Sequence, residues 1–135
     1  MKRVAFVEWE QCVLVAFGSR PPDDDEWKGY TEFLRNLNGI IGRALIMSRG
    51  GTLESHRRKE VDAILDARWK RDRRLAVVTN STVARGVVKA LSLIDPTYRA
   101  FAPADMDAAL TYLEIHRARW TEMKGLATSL DAQVD

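Results

Sequence analysis

Residues 75–113, LAVVTNSTVARGVVKALSLIDPTYRAFAPADMDAALTYL, run strand, helix, short strand, helix, with turn chemistry at each switch. The β-branched run ends at Asn80, where Asn80 or Ser81 caps a helix through Leu91. Val83, Val87, Val88, Leu91 and Ile94 recur at helical spacing as the expected core face of that helix. Pro96 stops it, residues 98–102 (YRAFA) read as a strand, and Pro103 with Asp105 opens the last helix. Strands alternating with helices need parallel neighbours joined by right-handed crossovers, which restricts the chain to the α/β class.

The upstream half extends the same grammar. Two β-rich runs, 3–10 and 12–18, are separated by Glu10 and Gln11, so a tight antiparallel hairpin is expected, with one strand central and the other at an edge. Pro21 and Pro22 end the second run. Asp23 to Asp25 then supply a helix cap, and Trp27, Tyr30, Phe33, Leu34 and Leu37 follow at steps of three and four. The triple Asp reads as a capped, solvated helix start, ahead of a metal site. Residues 43–48 form a short buried strand. A helix over 55–71 carries Val61, Ile64, Leu65 and Trp69 on one face, and 73–80 is the next strand. The expected order is β β α β α β α β α.

A chain of 135 residues can build one core, and a net charge of +2 exerts no strong pull toward nucleic acid or membrane. No apolar run approaches the roughly 20 residues that span a bilayer. The start, MKRVAFVEWEQ, turns acidic too soon for a secretory signal, so a cytoplasmic protein is expected. Cys12 stands alone, in CVLVAF, and reads as a small buried thiol. Residues 54–74 hold eight Lys/Arg against five Asp/Glu. This run reads as a solvated helix end, favoured by the helix dipole, ahead of a nucleic-acid patch.

In an open α/β sheet, ligands gather where strand C-termini meet helix N-termini. The groups expected there are Ser48, Arg49, Gly50, Gly51 and Thr52 after one strand and Thr79, Asn80, Ser81 and Thr82 after the next. Arg57 and Arg85 lie in the helices that follow. Two readings stand. These residues form an anion pocket in which backbone N–H groups and arginines hold a phosphate or carboxylate. Alternatively, the hydroxyls cap helices and the glycines only permit the turn. The chain lacks GxGxxG and GxxxxGK[ST], and neither His56 nor His116 has a nucleophile or metal-ligand partner at recognisable spacing. No cofactor, metal or catalytic residue is expected.

Val78 to Asn80, Arg85-Gly86, Ala90 to Leu93, Arg99-Ala100-Phe101 and the upstream ALIMSRGGT resemble, in order, the small stand-alone bacterial STAS-like proteins. STAS domains are those of anti-sigma-factor antagonists and sulfate-transporter tails. The resemblance covers residues 3 to about 113. It implies a STAS-like domain over 1–113 with a C-terminal helical extension at 114–135. The sheet would be mixed, of four to five strands, with helices mainly on one face and a long C-terminal helix. It also implies a regulatory role through a protein partner, such as a kinase or an anti-sigma-like protein. Antagonists of this family are phosphorylated in the loop matching Ser48, Thr52 and Ser55, although Met47 stands where they carry an Asp before the acceptor. A related fold in CRAL-TRIO lipid-transfer proteins adds a lipid-pocket alternative, beside the anion or nucleotide ligand that the pocket at the strand C-termini would take. Beyond Leu113, Trp120, Met123, Ala127 and Leu130 form an apolar stripe that needs a cover. Self-association into a homodimer, with Trp120 and Met123 at the interface, is the expectation. Docking on the chain's own sheet is the rival.

Overall fold

The computed structural model describes residues 1–39, 41–50 and 53–135. Five strands, β1 (Val4–Trp9), β2 (Cys12–Phe17), β3 (Ile41–Ser48), β4 (Trp69–Thr79) and β5 (Tyr98–Phe101), form one sheet in the order β1-β2-β3-β4-β5. The hairpin pairs Trp9 with Cys12 across a turn in which Glu10 adopts a positive φ of 55°. All later pairings are parallel.

That order dictates where the helices go. Sequential parallel strands joined by right-handed crossovers place every crossover helix on the same face. α1 (Asp24–Arg35), α2 (Ser55–Leu65) and α3 (Thr82–Ser92) accordingly share one side. The opposite side is left for the tail, where α4 (Met106–Tyr112) and α5 (Trp120–Asp131) cover Leu14, Ala16, Leu45, Met47, Ala76 and Val78. Helices therefore lie on both faces, where the sequence led us to expect them mainly on one. Burial from both sides also explains why β2 reads as an unbroken apolar run.

The expected long C-terminal helix is broken. Glu114 sits at φ 58°, and the carbonyls that end α4 are taken by side chains from the sheet. Arg74 donates to the Tyr112 carbonyl at 2.9 Å and Arg43 to the Leu113 carbonyl at 2.7 Å. The break lets α5 turn back across the sheet, bringing Met123 and Val134 to full burial. The Trp120 indole donates to the Ile115 carbonyl at 2.9 Å and packs on the same core. Met123, expected at an interface between copies, is thus consumed by this chain's own core.

Two helix assignments also shift. The helix expected over 55–71 ends at Leu65, passes through one 3₁₀ turn (Asp66–Arg68) and becomes strand at Trp69. Its basic residues then cap other elements instead of a helix dipole of their own. Arg68 donates to the Leu34 carbonyl at 3.2 Å, at the end of α1, and Arg73 pairs with Asp95 at 3.0 Å. α3 turns Ala84 and Val88 inward, while Val83 and Ile94, expected in its core face, are 77% and 85% exposed. The acidic triplet starts α1 as a capping box: Asp23 accepts from the Glu26 amide, and Glu26 from the Asp23 amide. Among the described residues, no helix is long and apolar enough to cross a membrane.

Candidate functional site

The loops after β3 and β4 do come together. Ser48 and Thr79 are cross-strand neighbours, and Gly50, at φ 114°, lies against Ser81 so closely that a Cβ there would sit 3.7 Å from the Ser81 Cβ. Inside the cluster the polar groups serve the backbone. Ser48 Oγ accepts from the Gly50 amide, Thr79 Oγ1 from the Ser81 amide, and Ser81 Oγ caps α3 through the Ala84 amide at 3.1 Å. Asn80 is exposed beside them, and Ser55 is the exposed first residue of α2. Gly51 and Thr52 lie outside the described residues.

Both arginines expected as anion partners already donate to backbone carbonyls of the protein. Arg57 donates to the Pro22 carbonyl at 2.7 Å, pairs with Asp24 at 3.3 Å and stacks on Trp27 with only 11% of its side chain exposed. Arg85 folds back onto the Thr79 carbonyl at 2.7 Å. A polar crevice between this strand end and α4–α5 contains Arg49 and Lys124, paired with Asp131 and Asp107. Its charges cancel locally, which removes the pull on an anion.

A different site opens on the α1–α3 face. Four apolar side chains of the central strands point there: Ala44 and Ile46 from β3, Leu75 and Val77 from β4. α3 lies over β4 and β5, while α2 leans on α1. The reason is in α2 itself, SHRRKEVDAIL, in which Val61, Ile64 and Leu65 are the bulky apolar residues and Leu65 is the buried one. A helix with so narrow an apolar stripe gains little from lying flat on a sheet. The gap is a cleft of about 150 Å³, walled by Val13, Val15, Tyr30 and Leu34 on one side and by Ala84, Val87, Val88 and Leu91 on the other.

Polar groups are few and sit at the ends. Arg20, Ser48, Glu54 and Arg57 line the end nearest the strand C-termini, with Arg20 paired to Asp135, and Arg58, Asp62 and Tyr98 line the rest of the rim. Burial pushes the Tyr98 phenol up to about 12, reinforced by the carboxylates of Asp62 and Asp95. Asp62 is also raised, because partial burial outweighs the attraction of Arg58 and Arg73. Tyr30, fully enclosed at the cleft wall, is pushed well up by burial. Predominantly apolar walls with a few convergent polar groups of shifted pKa are what small-molecule sites are built from.

Arg58, Asp62 and Tyr98 carried no motif that sequence reasoning recognises. The available signal was the poor amphipathicity of α2, a crossover helix too polar to cover the strands beneath it. The chain matches no family model, no curated protein and no solved structure.

Proposed function

We propose that this protein is a non-enzymatic binding module whose ligand is a small, largely apolar molecule held in the cleft between α2 and α3. The observation that carries this reading is the cleft itself, an apolar space over the centre of the sheet that the protein's own helices leave unfilled. A cavity of about this size holds a molecule of benzene's dimensions. The hydroxyls at the strand C-termini support binding over catalysis, since they are engaged in turns and a helix cap. Titrating the purified protein with toluene by NMR tests the reading. Saturable one-to-one binding with shifts centred on Ile46, Val77 and Val88 is expected, and no saturable binding up to the solubility limit overturns it.

A second reading has its own support. α3 presents Val83, Val87 and, just past its end, Leu93 and Ile94 to solvent, Val87 also lining the cleft. Exposed apolar residues grouped in this way suit a protein partner. The order of strands and the three crossover helices on one face are compatible with the STAS-like regulatory role, in which Ser48, Thr52 or Ser55 would be the phosphorylated residue. Ser48→Asp and Ser55→Asp variants that alter partner binding in a pull-down without lowering the melting temperature would favour it. Loss of stability with binding unchanged would make the loop structural.

A further inference from the structure

The cleft's rim distinguishes one class of ligand head from others. Tyr98 opens β5 half-buried, and its hydroxyl has no hydrogen-bond partner among the described residues. Arg58 and Asp62 lie one turn apart on α2, so they share a helix face, and both line the cleft. Among the described residues neither side chain has a hydrogen bond or an ion pair, whereas nearby Arg73 and Asp95 are already paired at 3.0 Å. A purely hydrocarbon ligand would leave the rim's polar groups facing an apolar surface, which costs free energy.

We infer that the cleft takes a neutral amphiphile, an aromatic ring or short chain bearing a hydroxyl-class head, and seats that head among Arg58, Asp62 and Tyr98; this rests on the cleft being a binding site at all. Charge selects against the alternatives. A carboxylate head meets Asp62 with Asp95 behind it, and an ammonium head meets Arg58 with Arg73 behind it. The two signs balance, so neither ion gains a net partner. A hydroxyl answers both requirements, donating to the Asp62 carboxylate and accepting from Tyr98 or Arg58. The raised pKa values of Asp62 and Tyr98 accord with a head region partly withdrawn from water.

The test uses four probes of one body and different heads: toluene, p-cresol, p-toluate and 4-methylbenzylamine, titrated by calorimetry into the full-length chain. p-Cresol should bind three- to tenfold more tightly than toluene and than either ion, the range of a hydrogen bond gained in exchange for water. Tyr98→Phe and Asp62→Asn should each weaken p-cresol to near the affinity of toluene, and neither should weaken toluene, which loses no partner and faces a less polar rim. The toluene affinity also shows that each variant is folded with its cleft intact. Equal binding of p-cresol and toluene, or tightest binding of either ion, overturns the head assignment and leaves the cleft reading standing. Binding of none of the four overturns both.

Discussion

Ala44 is the smallest side chain on the cleft floor, 5% exposed, between Val13 and Leu75 in register. Ala44→Val adds two carbons pointing into the space. If all 150 Å³ were filled, the gain at ~24 cal/mol per Å³ would be about 3.6 kcal/mol, which sets the upper bound. Two buried carbons recover about 1.6 kcal/mol of transfer free energy. Imperfect fit against Ile46 and Leu75 takes back part of it, so a net stabilisation of about 1 kcal/mol is expected. In urea, with a slope of about 2 kcal/mol/M, the midpoint should rise by ~0.5 M at unchanged slope. The same variant should weaken toluene binding by at least about tenfold, because the added methyl groups occupy its site. Stability and binding should therefore move in opposite directions, as at sites where a void is kept for a ligand. A midpoint lowered by the equivalent of about 1 kcal/mol or more at unchanged slope would show the floor to be already close-packed, and would refute the cleft as a site.

Met123→Ala should cost about 2–5 kcal/mol in a denaturant titration, since the side chain is fully buried in this chain's own core, and light scattering should give the wild-type mass for the variant. Asp95 accepts from the Thr97 amide and hydroxyl and from Arg73; burial raises its carboxyl, but these bonds outweigh it and hold the group below the ordinary range. Its contribution is thus present above the unfolded carboxyl value of about 3.9 and lost as pH falls through the lower folded value, so Asp95→Asn should cost about 1–3 kcal/mol at pH 7 and progressively less in melts below about pH 4. Burial pushes the Cys12 thiol up to about 12, so Ellman's reagent at pH 8 should label native protein no faster than it unfolds and label it at once in concentrated urea.

Local physics was legible without the fold. Two β-rich runs split by Glu10 and Gln11 placed the hairpin, periodicity placed α1, Asp23 to Asp25 marked where α1 starts, and Asn80 or Ser81 marked the start of α3, because each of these is written within a few residues of chain. What depended on distant partners was not legible there. Residues 66–71 look helical by spacing, yet β4 already begins at Trp69, which pairs with Ile41 of β3, and α2 ends at Leu65. Val83 and Val87 of α3 and Ile94 just past its end satisfy a helical stripe, yet they are exposed, because α3 turns Ala84 and Val88 toward the sheet. The tail's need for a cover was visible in its apolar stripe. Its partner was decided by topology, since sequential right-handed crossovers fill one face and leave the other bare for α4 and α5. The cleft belongs to the same category. No single segment encodes it, because an unfilled volume is the difference between what a polar α2 covers and what the strands beneath it present.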